Sequence, residues 1–162
     1  MKVLVIGAGN MGLTYAEGMA NSPFLNKRKL MIFDVSPQKT EALSTMAQFD
    51  AYDSIEECVP KADVIFIAVK PYHSQSLFDS IKPYINQEQL FVSLMAGVTI
   101  NTIQEGLGVK KVIRTMPNLP AKVGKGVTSF TESKEVSRIE LLTVRSLLDT
   151  TGESIHVETE QF

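Results

Sequence analysis

Three glycines spaced G-x-G-x-x-G, at Gly7, Gly9 and Gly12, follow directly on the apolar run VLVI at 3–6. The chemistry open to them there is the cradling of a pyrophosphate by main chain. Gly7 permits a tight turn out of a strand, Gly9 lets the backbone approach a phosphate, and Gly12 lets the next helix lie close on the strand. That helix offers unpaired N–H groups and the positive end of its dipole to an anion. With Ala8, Asn10 and Met11 between them, the glycines form one half of a candidate dinucleotide site. Asp34, about 20 positions further on and after a second apolar run, is the expected other half. Its carboxylate can accept both hydroxyls of an adenosine ribose, and a like charge opposes a 2′-phosphate. Taken alone, Asp34 favours NAD over NADP, although Ser36, Gln38 and Lys39 could partly offset that repulsion. A turn or helix-capping aspartate is the plain alternative.

Further candidates gather where later strands should end. They are Ala68, Val69, Lys70 and Pro71, then the stretch at 93–97 with Ala96 and Gly97, then Arg114, Thr115, Met116, Pro117 and Asn118. Small Ala96 and Gly97 would admit a ring closely, and Asn118 could bond a carboxamide. Read singly, each is also an ordinary loop. Other groups are weaker. The basic run at 26–29 (NKRK) precedes the second strand while Asp34 follows it, a separation of roughly 16 Å at about 3.3 Å per residue. Ligands of a parallel sheet lie at the carboxyl ends, so this run reads as a solvated loop. His73 and His156 have no Cys, Asp or Glu partner at metal-ligand spacing, and no metal is expected. Cys58 sits beside Glu56 and Glu57, whose charges would raise its pKa, which makes it a poor nucleophile.

The elements that must position these groups follow from the apolar pattern. The run at 3–6 reads as a strand buried on both faces, those at 30–33 and 63–69 as buried strands like it, and 90–93 as a further strand. Further strands are expected at 111–114, 126–130 and 154–157, with helices at 11–20, from 37, and at 54–59, 74–81, 100–105 and 134–149. Gly12, Ala16 and Ala20 form a small-residue ridge that lets the first helix approach the sheet. Strands alternating with helices predict an α/β, Rossmann-like doubly wound, mostly parallel sheet with helices on both faces. The chain, 1–162, is thus expected to be one dinucleotide-binding domain. The one dense loop is 114–126 (RTMPNLPAKVGKG), with two prolines and two glycines.

Composition narrows the field further. Of 162 residues, 44% are hydrophobic and 21% charged, as in an ordinary globular domain. Sixteen basic residues against eighteen acidic ones leave a net charge of −2, unlike a general nucleic-acid binder. A single cysteine fits a reducing compartment. No apolar stretch reaches the roughly 20 residues a bilayer requires, and the start of the chain does not read as a signal peptide. The expectation is a cytoplasmic protein with a small-molecule substrate and no nucleic-acid or membrane partner.

Taken together, GAGNMG at 7–12, AVKP at 68–71, SLMAGV at 93–98 and RTMPNLPAKVGKGVT at 114–128 resemble the pyrroline-5-carboxylate reductase family. The resemblance covers essentially the whole chain. It implies reduction of 1-pyrroline-5-carboxylate to proline with NAD or NADP as cofactor. It further implies that the glycine loop and AVKP bind that cofactor, and that turns at Ala96–Gly97 and Met116–Asn118 flank the nicotinamide. Leu119, Met95 and Asp34 depart from the usual family pattern. Members of the family continue into a helical domain that binds substrate and builds the dimer, so the 162 residues read as the cofactor half of a longer homo-oligomeric enzyme, or as a lone domain like it. No residue reads as the acid that would serve the imine nitrogen, and Lys70 reads equally as a helix-entry lysine. Two alternatives stay open: another oxidoreductase of this fold, β-hydroxyacid dehydrogenase-like or deazaflavin-dependent, and a non-catalytic dinucleotide sensor. Met116, Pro117 and Asn118 speak against the first of these.

Overall fold

A computed structural model describes residues 1–25, 28–118 and 126–162. Eight strands form one sheet in the order β3-β2-β1-β4-β5-β6-β7-β8. They are β1 (Val3–Ile6), β2 (Leu30–Phe33), β3 (Phe49–Tyr52), β4 (Val64–Ile67), β5 (Leu90–Ser93), β6 (Val112–Asn118), β7 (Gly126–Glu132) and β8 (Gly152–His156). The first six run parallel, β7 runs antiparallel to β6, and β8 runs parallel to β7.

Each central strand is buried along its whole length because side chains alternate between two covered faces. Val3 and Val5 of β1, with Phe66 of β4 and Val92 of β5, enter one core. There they meet Tyr15, Ala16 and Met19 of α1 (Asn10–Ala20), Leu43 of α2 (Pro37–Ser44), and Val144 and Leu147 of α6 (Arg138–Leu148). Leu4, Ile6, Ile65 and Ile67 enter the other. That side is covered by α3 (Ile55–Cys58), α4 (Ser74–Ile81) and α5 (Ile100–Leu107). At about 25 cal/mol per Å² of apolar surface, each such Val, Leu or Ile contributes about 1.5–3 kcal/mol against the cost of ordering the chain.

The expected architecture holds, with particular corrections. β3 carried no signal: FDAY is a short edge strand with one fully buried side chain, Phe49. The strand expected at 63–69 ends at Ile67, so Ala68 and Val69 already belong to the turn. The strand expected at 111–114 runs on to Asn118. Met116, Pro117 and Asn118 are therefore strand residues paired with Ser129, Thr128 and Val127, and the expected turn is absent. Pro117 is tolerated because pairing with β5 stops at Arg114, which leaves β6 one free edge beyond it. The ridge on α1 keeps Gly12 and Ala16 buried, while Ala20 is half-buried and large Tyr15 and Met19 fill the rest of the face. Leu119, the remainder of the dense loop at 119–125, and Asn26 and Lys27 lie outside the described residues.

Candidate functional site

From β1 the chain winds outward through β2 and β3, then returns to β4 beside β1 and winds the other way. The carboxyl ends of β1 and β4 thus meet at a switch point, where open α/β sheets bind ligands. The loops there are stitched together by backbone. Gly7 N–H donates to Phe33 O at 2.9 Å, and Ala68 N–H donates to Ile6 O at 2.8 Å.

The three glycines have three different physical reasons. Gly7 has φ +103°, and a Cβ on it would lie 2.8 Å from the Ala68 carbonyl. A Cβ on Gly12 would overlap the Gly7 carbonyl oxygen, so that glycine lets α1 sit on the turn. A Cβ on Gly9 would meet nothing within 4 Å. Nothing among the described residues requires glycine there, and the open space lies at the amino end of α1, where a phosphate would come. That end is itself left open: Gly9 is the cap residue, has no side chain to bond the first N–H groups, and no acidic residue stands in the first turn. Ser36, Ser54, Thr99 and Ser137 by contrast cap α2, α3, α5 and α6 with side-chain oxygens. The residues present fit a pyrophosphate.

Asp34 is placed by β2 next to this loop. Its Oδ2 accepts from Ala8 N–H at 2.8 Å and its Oδ1 from Ser36 N–H at 2.9 Å. The carboxylate therefore ties the β1–α1 turn to the β2–α2 turn. An ionised carboxylate has about four acceptor positions, so two stay free for a ligand's hydroxyls. The turn and ligand readings of Asp34 are compatible. Ser36 caps α2, its hydroxyl accepting from Lys39 N–H at 3.3 Å and donating to Gln38 at 3.2 Å. Beside Asp34 opens a cleft of about 270 Å³ lined by Gly7, Val35, Val69, His73, Ser76 and Leu77 among others. Val35 was not singled out from the sequence, and His73 was weighed there only as a metal ligand. Their only signal was adjacency, one following Asp34 and the other two residues past Pro71.

Ala68 and Val69 are half-buried at the end of β4, while Lys70 and Pro71 are exposed and lead through a short 3-10 turn, Pro71–His73, into α4. Ala96 and Gly97 are exposed after β5, and Gly97 has φ +73°, a conformation that favours glycine. Ser93 fixes that turn: its hydroxyl accepts from Met95 N–H at 3.1 Å, and its carbonyl accepts from the buried Thr115 hydroxyl at 2.8 Å. Asn118 is exposed at the tip of β6. The glycine loop, Asp34, Ala68 to Pro71, Ala96 to Gly97 and Met116 to Asn118 thus all stand at the carboxyl ends of parallel strands in one sheet.

Residues 2–97, more than half of the chain, match the family described as NADP oxidoreductase coenzyme F420-dependent. The chain belongs to that family. Along nearly its full length it is also similar to named enzymes. It is 34% identical over 154 residues to pyrroline-5-carboxylate reductase of Escherichia coli, covering 94% of this chain and 57% of that one. It is 35% identical over 165 residues to the enzyme of the same name from Staphylococcus haemolyticus, covering 99% and 60%. A crystal structure of Plasmodium falciparum pyrroline carboxylate reductase with NADP bound superposes with a TM-score of 0.83 at 28% identity, over 98% of this chain and 58% of that one. The chain thus spans somewhat over half the length of the relatives it matches.

Other groups in this member of the oxidoreductase family stand apart from the crevice. Arg28 and Lys29 lie at the opposite, amino edge of the sheet, with Lys2 and Lys61, as their position before β2 implied. His156 pairs with Glu132 at 2.7 Å on β8 and β7. Cys58 is fully buried, and burial pushes its thiol up to about 11, with Glu57 a minor contributor. Burial replaces the neighbouring glutamates as the main reason for its inertness. Among the described residues no three His, Cys, Asp or Glu side chains gather as a metal-ligand set. Among the same residues no helix is long and apolar enough to cross a membrane.

Proposed function

We propose that this chain is the cofactor-binding half of a reductase that converts 1-pyrroline-5-carboxylate to proline with NAD(P)H. The observation that carries the reading is the similarity to pyrroline-5-carboxylate reductases along 94–99% of the chain, glycine loop and β6 included. The family match alone ends at Gly97, before Met116, Pro117 and Asn118, and so leaves the substrate open.

In this reading Gly7, Ala8, Gly9, Asn10, Met11 and Gly12 hold the pyrophosphate by main-chain N–H groups, and Asp34 and Ser36 hold the adenosine ribose. Ala68, Val69, Lys70 and Pro71 form the wall beneath the dinucleotide. Ala96 and Gly97, with Met116, Pro117 and Asn118, border the nicotinamide, which supplies the hydride. These residues bind and orient. Residues 1–162 form one dinucleotide-binding domain with no catalytic acid. The partners of the imine nitrogen and of the substrate carboxylate belong to the roughly two-fifths of the relatives' length that this chain does not span. That remainder also carries the contacts of a homo-oligomer, and the enzyme works in the cytoplasm.

The test is an NADH- and NADPH-oxidation assay with pyrroline-5-carboxylate on this chain and on its fusion to the remainder of the E. coli relative. The chain alone should bind cofactor without turnover, and the fusion should turn over. Positioning of the reacting pair contributes roughly 7–11 kcal/mol to such a step, so the difference is large. Comparable turnover by both would mean that catalytic groups already lie within residues 1–162. Turnover by neither, with binding intact, would count against this substrate.

A further inference from the structure

Two clefts meet at Asp34. One is the cleft of about 270 Å³ beside Gly7, and the other, about 650 Å³, opens between α2 and β3. Among the described residues the larger one is lined by two more carboxylates, Glu41 and Asp53, and by no Lys or Arg. We propose that this chain selects the dinucleotide without a 2′-phosphate, NAD(H), with Asp34 as the selecting residue and Glu41 and Asp53 reinforcing it. The inference rests on the reading of the glycine loop as a dinucleotide site, and it sets the chain apart from the NADP in the family's description.

Three features carry it. First, the Asp34 carboxylate cannot swing away from an incoming phosphate. Ala8 N–H and Ser36 N–H hold one oxygen each, and these bonds join turns 26 residues apart. The two remaining acceptor positions match the two hydroxyls of an unmodified ribose. Second, a phosphate on that ribose would bring about 1.5–2 further negative charges to a fixed carboxylate, with Glu41 and Asp53 beyond it. Glu41 and Asp53 are exposed, so their share of the repulsion is the part that salt screens most. Third, among the described residues around Asp34 the groups that could receive such a phosphate are engaged or stand outside the clefts. The Ser36 hydroxyl is bonded to Lys39 N–H and to Gln38, Pro37 removes one N–H from the first turn of α2, and the exposed Lys39 lines neither cleft.

The experiment is equilibrium titration of the chain with NADH and NADPH, followed by ligand fluorescence and by calorimetry at two salt concentrations. NADH should bind at least tenfold more tightly, and the gap should narrow with salt. Asp34→Asn retains an acceptor oxygen for the turn yet removes the charge, and should reduce the ratio about tenfold. Asp34→Ser should move it further in the same direction. Glu41→Gln and Asp53→Asn should each strengthen NADPH binding several-fold. Glu105→Gln, exposed on α5 and lining neither cleft, is the charge-matched control and should leave the ratio unchanged. NADPH binding as tightly as NADH, or a ratio indifferent to Asp34→Asn, overturns the selection while the dinucleotide site stands. Binding of neither cofactor overturns the dinucleotide reading itself, and the selection with it.

Discussion

Helices α1 and α6 each run eleven residues and bury a stripe in the same core, yet their amino ends are finished in opposite ways. In α6 the Ser137 hydroxyl accepts from Glu140 N–H at 3.1 Å, and Glu140 returns the contact to Ser137 N–H at 2.9 Å. Lys111 adds an ion pair to the same glutamate at 3.0 Å. The cap hydroxyl, the Glu140 N–H and both oxygens of the Glu140 carboxylate are thus used to hold the helix. In α1 the cap is Gly9, and no side chain bonds the first N–H groups. A side-chain cap is typically worth about 1 kcal/mol, so α1 forgoes stability at the place where it is open to an anion. The contrast teaches that two helices packed on one core can be finished differently, one closed by its own side chains and the other open at its first turn.

The comparison breaks most sharply at Gly12. A Gly12→Val side chain would drive into the Gly7 carbonyl oxygen and Ala68, so α1 must lift off the turn. The expected loss is on the order of 3 kcal/mol, measured by urea unfolding, together with loss of dinucleotide binding. A stable Gly12→Val protein would remove close packing as the reason for this glycine. Gly9→Val is the complementary change. With open space around it, the fold should lose only about 1 kcal/mol, a few degrees in Tm, while cofactor affinity falls at least tenfold by calorimetry. Unchanged affinity would sink the phosphate cradle.

At the other helix the pattern inverts. Ser137→Ala should cost about 1 kcal/mol by urea unfolding and leave NADH affinity where it was, since the cap touches no part of the crevice. Glu140 sharpens this further. Partial burial pushes its carboxyl up, but Ser137 and Lys111 more than reverse that and hold it below its ordinary 4.5. Its folded-state value lies below the unfolded one. Its stabilisation is therefore complete above about pH 4.5 and is lost as pH falls through the lower folded value. Glu140→Gln should flatten the fall in stability over that acid range and change little at pH 7. An unaltered acid slope would assign the loss to other carboxylates. The smallest effect belongs to Cys58. With its thiol at about 11, native protein at pH 8 should react with a thiol reagent far more slowly than unfolded protein. Rapid labelling of the native chain would mean that the core around Cys58 opens readily.

Much of this was legible in local pattern. VLVI, LMIF and LFVS were placed to the residue because a strand covered on both faces has no polar position to blur its ends. FDAY was missed because an edge strand needs few apolar residues, and β6 was cut short because its last residues open the proline- and glycine-rich stretch 114–126, which reads as a loop. The site divides in the same way. The glycine spacing and Asp34 announced themselves, whereas Glu41, Asp53, Val35 and His73 became neighbours of the site only through strand order and helix placement.

By itself the sequence determined the alternation of buried strands with helices, the glycine turn at the head of α1, and an acidic residue at the end of the second strand. These are properties of short stretches, fixed by local backbone freedom and by which faces must leave water. Only the tertiary structure decided that Asp34 clamps the glycine loop from 26 residues away, that Gly12 is filled by packing while Gly9 faces open space, and that β7 turns back against β6. The same structure decided that three carboxylates share one cleft. Each of these depends on which strands lie side by side. Strand order is settled by the joint burial of distant side chains, and no short run of residues carries that information.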